Sequence, residues 1–234
     1  YGGYREKTRD IQPTISDLKE DLKILSAMGV KILRTYNLQL QQAPNILKAI
    51  RELKIEDSSF EMYVKLGAWI DCENAWTENP DHTKENESAN AIEIQKAINL
   101  ANQYPEIIKI IAVGNEAMVN WSWSYYVEPS VILGWVNHLQ DLKKQKKLPE
   151  NLWITSSDNF AAWRGGEESY HTNDLNSLIK AVDYISMHTY AFHDTHYNSD
   201  FWNLEKEPKD QNYDLEIINQ AMDSVHNYSI YQYN

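Results

Sequence analysis

The chain has 234 residues, a formal net charge of -12 and a sequence pI near 5.0, which fits one large domain with a sizeable core. This acidity argues against nucleic acid as a partner and disfavours an anionic membrane surface, because binding to either draws on Lys and Arg side chains. Cys72 is the single cysteine, which excludes an intrachain disulfide and a cysteine-based zinc site, and no run approaches the ~20 apolar residues that membrane insertion requires.

Helical patterns and short apolar runs alternate along the chain. A capping box of Thr14 and Asp17 opens the first helical pattern. Helices are predicted at 14–29, 43–53, 88–103, 130–147, 174–181 and 215–225, and strands at 30–36, 62–70, 107–113, 152–157 and 183–187. Strands that alternate with helices at this spacing predict βαβ units and a parallel sheet.

Two α/β architectures compete for this pattern, an open doubly wound sheet and a (β/α)8 TIM barrel of about 250 residues. Neither glycine-rich phosphate-loop motif occurs, which favours the barrel. Strands two to six of the barrel would be complete, residues 1–4 would end the first, and the seventh and eighth would be absent. The sequence therefore predicts a single barrel domain over 1–234, fragmentary at both ends, and a further segment that covers the unpaired strand edges.

The segment 110–117 is the most informative for chemistry. It is an apolar strand that stops in Gly114, Asn115 and Glu116. This places a carboxylate at the carboxyl end of a barrel strand, where barrel active sites lie. Apolar neighbours would raise the pKa of Glu116 and allow it to act as a general acid, and Asn115 can hydrogen-bond a sugar hydroxyl. The alternative is that Glu116 only caps the next helix or pairs with Arg34.

Four segments, in chain order, resemble bacterial members of glycoside hydrolase family 17. The strongest is the acid/base motif Val113-Gly114-Asn115-Glu116; the others are Tyr1-Gly2-Gly3-Tyr4-Arg5, Gly29-Val30-Lys31-Ile32-Leu33-Arg34-Thr35-Tyr36 and Ile185-Ser186-Met187-His188-Thr189-Tyr190. Plant members carry an Asn-Pro-Tyr type of sixth strand, so His188-Thr189-Tyr190 suits the bacterial branch. The resemblance extends from the end of the first strand to the sixth helix.

The resemblance implies a β-1,3-glucan hydrolase of the laminarin type with a retaining mechanism and Glu116 as the acid/base. Retention requires a second carboxylate about 5–5.5 Å from the first. In the family this nucleophile is a Glu at the end of the seventh strand, so we expect it beyond Asn234 and expect this chain alone to be inactive. Asp71 and Asp158 follow strands, and either could bind sugar hydroxyls or complete an inverting pair at about 6.5–9.5 Å. The plainer interpretation makes both solvated loop residues.

The sequence also predicts residues that would bind substrate. Some follow barrel strands, and others are tryptophans beside loops, where flat rings suit both sugar stacking and ordinary packing. The candidates are Asn115, Arg34, Tyr36, Trp69, Asp71, Trp121, Asp158, Trp163, His188 and Tyr190.

Other functions stay open at this point. A non-catalytic β-glucan-binding protein, a β-1,3-glucan transglycosylase and a nucleotide-binding open sheet are the alternatives. No cofactor or metal is expected, since the cluster of His188, His193, Asp194 and His196 lacks the spacing of a zinc site. The expected partner is a β-glucan polysaccharide or oligosaccharide. The family resemblance implies a secreted, periplasmic or cell-surface location.

Overall fold

A computed structural model describes residues 3–4, 11–164 and 173–189. The chain divides into two compact units, Tyr1–Ser186 and Met187–Asn234. The helical pattern predicted at 215–225 lies outside the described residues, and the single domain over 1–234 stays a prediction.

The described elements alternate as the sequence predicts, with three additions. In chain order they are α1 (Ile15–Ala27), β1 (Ile32–Arg34), α2 (Gln42–Glu56), β2 (Tyr63–Ala68), β3 (Cys72–Glu73), β4 (Asp81–Glu85), α3 (Glu87–Gln103), β5 (Ile108–Asn115), α4 (Pro129–Lys144), β6 (Trp153–Asn159), α5 (Phe160–Arg164), α6 (Asn173–Ala181) and β7 (Ser186–His188). The capping box of α1 is present, since Thr14 Oγ1 accepts a hydrogen bond from the Asp17 amide. Within the described residues, no helix is long and apolar enough to cross a membrane.

The main sheet has five strands in the order β1-β2-β5-β6-β7. The pairs β1–β2, β2–β5 and β5–β6 are parallel, with helices in the connections between them. The prediction of an α/β fold with five parallel strands is therefore confirmed, although β1 is only three residues long and β5 and β6 extend further than predicted.

The sheet curls into a half-barrel, and a polar contact across its concave face shows how strongly. Lys65 on β2 donates a hydrogen bond from Nζ to Oγ of Ser186, the first residue of β7. Ser157 on β6 contacts the same hydroxyl at 3.2 Å. The strands β2 and β7 are three intervals apart, about 14 Å in a flat sheet, which exceeds the reach of these two side chains. The curl of the sheet must therefore bring β2 and β7 closer together than they would be in a flat sheet.

The interior of the half-barrel is therefore polar where Lys65 and Ser186 meet. Lys65 is 8% exposed. Burial, and then the charge of Arg34, lower the pKa of Lys65 to about 8. Along β2 the residues on either side of it, Val64 and Leu66, point to the opposite face of the sheet and are almost fully buried.

Three described elements have no counterpart in the sequence prediction. The strands β3 and β4 form an antiparallel hairpin between β2 and α3, with Cys72 paired to Glu85. The sequence of β4 is almost entirely polar and shows no alternation, so periodicity could not reveal it. The helix α5 has five residues, too few for a helical period.

Candidate active site

The end of β5 fixes the backbone of Glu116. Gly114 and Glu116 both adopt left-handed conformations, with φ of +80° and +49°. The Glu116 amide donates to the Ser157 carbonyl on β6 at 2.8 Å. A left-handed backbone conformation costs a non-glycine residue on the order of 1–2 kcal/mol. The neighbouring strands therefore hold the backbone of Glu116 in a conformation that it would not adopt alone.

Gly114 is required for this strand end. Besides its positive φ, a Cβ there would lie 3.0 Å from Cβ of Ala117 and 3.1 Å from Cδ1 of Ile132. The Gly-Asn-Glu step therefore turns the chain sharply while packing against the start of the loop and α4. The side chains of Asn115 and Glu116 are half-buried at the carboxyl edge of the sheet.

Arg34, Tyr36 and Asn115 come together beside Glu116. The Arg34 Nη2 group donates to Asn115 Oδ1. The Arg34 guanidinium carbon lies 4.9 Å from the centroid of the Tyr36 ring, within the range of a cation–π contact. Tyr36 is 46% exposed. The structure thus groups these predicted residues at one edge of the sheet, while their role in substrate binding stays a prediction.

A glycine on β2 makes this grouping possible. A Cβ at Gly67 would lie 2.4 Å from the Thr35 carbonyl oxygen and 2.8 Å from the Tyr36 carbonyl. The Gly67 amide also donates to Thr35 Oγ1 at 3.1 Å. The chain that follows β1 can therefore cross close to β2 and deliver Tyr36 toward the end of β5.

Asp158 lies in β6 rather than in a solvated loop, which corrects the sequence interpretation. Its carboxylate is 0% exposed. It accepts hydrogen bonds from the amides of Met118 and Asn159, both at 2.8 Å. Burial is the main cause that raises the pKa of Asp158 to about 7, and the charge of Glu116 adds to the rise. In this structure Asp158 faces the backbone of the Glu116 loop and not the solvent.

We expect Asp158 to make the protein less stable at pH 8 than at pH 5. Its pKa rises from 3.8 to about 7 on folding, so the folded state keeps a proton that the unfolded chain has lost. The stability from this group is full below about pH 4 and is lost as the pH rises through about 7, by up to ~4 kcal/mol. Urea unfolding of the wild type and Asp158→Asn at pH 5 and pH 8 measures this difference.

The Asn variant should lose much of that pH dependence, whatever its overall stability. Asp174→Asn removes an exposed carboxyl from the start of α6 and serves as the control. An equal change in unfolding free energy between pH 5 and pH 8 in the wild type and Asp158→Asn would contradict the assignment.

The hairpin and the loop after β5 are joined by main-chain hydrogen bonds. The Cys72 amide donates to the Tyr125 carbonyl at 3.2 Å, and the Trp76 amide donates to the Ser124 carbonyl at 2.7 Å. The rings of Trp69, Trp76 and Tyr125 meet where they join, with centroids 4.8 to 6.3 Å apart. The hairpin is thus attached to the same loop that begins with Glu116.

Two polar residues of α3 position the segment that carries Trp69 and Asp71, and sequence reasoning missed both. Glu93 is 3% exposed and accepts hydrogen bonds from the Leu38 and Trp69 amides. Asn90 accepts from the Asp71 amide at 3.1 Å and donates to the Asp71 carbonyl at 3.0 Å. Their position on the buried face of a helix, three residues apart, is the only signal that the sequence offers.

The remaining candidates are divided between surface and interior. Trp121 is 58% exposed in the loop after β5. Trp163 lies in α5, is 6% exposed and donates from Nε1 to the Ser186 carbonyl at 3.3 Å; its contact with substrate stays a prediction. His188 belongs to the second compact unit, and Tyr190 lies outside the described residues. Substrate contact by His188 and Tyr190 stays a prediction.

A metal centre has no candidate in the part of the chain that the structure describes. There, no three His, Cys, Asp or Glu side chains are grouped so that they could hold an ion. His193, Asp194 and His196 from the predicted cluster lie outside the described residues.

Comparisons with known proteins show the family of the chain. Residues 1–229 match the family profile described as the BtgE/BtgC glycoside hydrolase domain. The crystal structure of an endo-laminarinase from Formosa Hel1_33_131 is similar over 99% of this chain, with 57% sequence identity and a TM-score of 0.87. The chain spans 59% of the length of that protein. No curated protein matches the chain.

Proposed function

Since the chain belongs to the BtgE/BtgC glycoside hydrolase domain family, we propose that it supplies the acid/base side of the active site of a β-1,3-glucan hydrolase. The proposed substrate class is laminarin and its oligosaccharides, in line with the laminarinase to which the chain is 57% identical. We also assign the chain to glycoside hydrolase family 17 and propose the full eight-stranded barrel for its fold, on the motifs that resemble that family.

The observation that carries the proposal is the conformation of Glu116. A half-buried carboxylate stands at the carboxyl end of a central parallel strand, with φ +49° and its amide bonded to the next strand. Arg34, Asn115 and Tyr36 lie beside it. A surface carboxylate that served only to keep the protein in solution would not need a backbone held in an unfavourable conformation.

Each of these side chains has a role in the proposed reaction. Glu116 donates its proton to the glycosidic oxygen as the bond breaks and later takes a proton from the attacking water. Arg34 occupies the amide oxygen of Asn115, so the amide NH2 group of Asn115 is the part that donates to a sugar hydroxyl. A hydrogen bond to the 2-hydroxyl strengthens as positive charge develops on the ring.

The retaining mechanism also requires a nucleophile about 5–5.5 Å from Glu116. Asp158 is an unsuitable candidate, because its carboxylate is fully buried and already accepts two main-chain amides. We therefore keep the assignment that the family resemblance implies, a Glu beyond Asn234. Because a glucan polymer is too large to cross a membrane unaided, the proposal places the protein in a secreted, periplasmic or cell-surface form.

Hydrolysis by the full-length product of the gene tests the proposal. We expect release of reducing ends from laminarin and its oligosaccharides, with little from cellulose oligosaccharides of equal length. Proton NMR during the first minutes should show the β-anomer of the new reducing end before mutarotation. Products longer than the substrate would indicate transglycosylation instead. Binding of laminarin without any cleavage would indicate a glucan-binding protein and would refute the hydrolase.

A further inference from the structure

Lys65 is a buried cation that has no part in the reaction described above. It lies in the middle of β2, is 8% exposed and donates from Nζ to Ser186 Oγ. Its ammonium group lies 5.8 Å from the centroid of the Tyr184 ring. Among the described residues it forms no ion pair with a carboxylate, and a buried charge without such a pair destabilises the fold. A lysine at this position therefore calls for a functional explanation.

Arg34 lies directly beside Lys65. The two residues are paired on the neighbouring parallel strands β1 and β2, so their side chains leave the sheet on the same face, about 5 Å apart at the backbone. Two positive charges this close repel each other, and more strongly in the interior than in water. In the structure each cation has its own acceptor, Asn115 Oδ1 for Arg34 and Ser186 Oγ for Lys65. The two cations thus occupy separate places on the concave face.

The acceptors of the two cations belong to one row of polar residues across the concave face. Asn115 on β5 is paired with Ser157 on β6, and Ser157 Oγ lies 3.2 Å from Ser186 Oγ on β7. Arg34 bonds the first residue of the row and Lys65 bonds the last. The hydroxyl groups of Ser157 and Ser186 are acceptors that also suit a guanidinium group. Lys65 fills this second place through its bond to Ser186 and through its charge.

The direction of the Asn115 amide depends on the place that Arg34 takes. While Arg34 donates to Oδ1, the NH2 group of Asn115 is the part left for a sugar hydroxyl. We propose that the positive charge of Lys65 keeps Arg34 on Asn115 and thereby holds the Asn115 amide in the orientation that binds the sugar. Lys65 is then a positioning residue, because it acts through Arg34. This inference rests on the proposed function.

Lys65 loses its charge at moderately alkaline pH. Burial and the neighbouring Arg34 lower its pKa to about 8, so the ammonium group is charged at pH 7 and neutral at pH 9.5. Burial raises the pKa of Tyr184, the other titratable group that faces it in the described structure, so Tyr184 titrates later. The inward positions of β5 and β6 beside Lys65 are uncharged: Ile110, Ala112, Thr155 and Ser157. A change of pH therefore tests the charge of Lys65 without a mutation.

Binding of laminarihexaose to the full-length Glu116→Gln variant tests the proposal, because position 116 then neither titrates nor supports turnover. Calorimetry at pH 7 and pH 9.5 should give three patterns. With Lys65 in place, the affinity should fall about fivefold to tenfold as the ammonium group loses its proton. Lys65→Met in this background should bind weakly at both pH values. Lys65→Arg keeps its charge throughout and should bind tightly at both.

Stability separates this role from a purely structural one. Methionine is similar in length and removes a buried charge, so Lys65→Met should be at least as stable in urea at pH 7, although it binds less tightly. Lys109→Met is the matched control. Lys109 also has a ring at 5.8 Å, that of Tyr63, and donates to one carbonyl oxygen, but it lies near the start of β5, away from the candidate site. It should leave binding and its pH dependence unchanged.

Equal affinity with and without Lys65→Met at pH 7, or a pH dependence that persists in Lys65→Met, overturns the proposal. If Lys65→Met fails to fold, Lys65→Arg decides, because affinity that still falls at pH 9.5 in the arginine variant contradicts the role of the charge. A Glu116→Gln parent that binds laminarihexaose but shows none of these patterns refutes only this inference. A wild type that neither cleaves nor binds laminarin refutes the proposed function as well.

Discussion

Replacement of Glu116 by Gln in the full-length gene product should lower kcat/KM for laminari-oligosaccharides by at least about 10²–10⁴-fold, the usual contribution of a general acid/base. Glutamine matches the carboxyl group in size but cannot supply the proton that the departing oxygen requires. Reducing-end release under single-turnover and steady-state conditions measures the effect. The loss should be much smaller for an aryl β-glucoside with an acidic leaving group, since its oxygen needs little protonation.

That dependence on the leaving group separates chemistry from structure. A variant damaged in folding would lose activity equally on both kinds of substrate. Glu128→Gln is the matched control, because Glu128 ends the same loop, is exposed and makes no side-chain capping bond to α4. Activity that survives in Glu116→Gln, or is lost equally in Glu128→Gln, would show that the acid/base lies elsewhere.

Residues 1–234 on their own should show no appreciable turnover of laminari-oligosaccharides. Covalent catalysis by a glycosidase divides one difficult displacement into two easier ones, and without a nucleophile the first step has no partner. Protonation by one carboxylate supplies only part of the rate. Chromatography of products after long incubation, with the full-length gene product measured in parallel, provides the comparison.

Binding should survive where turnover does not, because Arg34, Tyr36 and Asn115 all belong to residues 1–234. Calorimetry of laminarihexaose with residues 1–234 measures this. Robust hydrolysis by 1–234 that disappears with Glu116→Gln would show that a carboxylate inside this range acts as the partner. Asp71 would be tested first, since the other candidate carboxylate, Asp158, is fully buried.

The sequence predicted the strands well because their composition determines them. A strand such as β5 is buried along most of its length, so its residues read as an unbroken apolar run. The carboxylate at its end was visible for the same reason, since Gly114 and Asn115 interrupt that run abruptly. Polar residues that take part in long-range contacts gave no such signal. Lys65 and Ser186 are 121 positions apart in sequence, and only the curl of the sheet brings them into contact.

The errors concern polar side chains whose surroundings come from distant segments. Asp158 follows the predicted strand 152–157 and was interpreted as a loop residue, yet two main-chain amides allow it to continue β6 into the interior. Trp163 is buried in a helix of five residues, which is too short for periodicity to reveal. The hairpin escaped notice because β4 has no apolar alternation. Its order depends on bonds to the loop after β5, which no local pattern encodes.

The two ends of the hairpin lie close together where it connects to β2 and α3. Cys72 and Glu85 are paired across it, and directly below them the Asn86 amide donates to the Asp71 carbonyl at 3.1 Å. The two stems therefore meet at about the separation of neighbouring strands. A segment with closed ends can be lengthened, shortened or exchanged without moving β2 or α3. Since Cys72 and Trp76 also bond to the loop after β5, an exchanged hairpin would change the support of that loop while the strands of the sheet keep their positions.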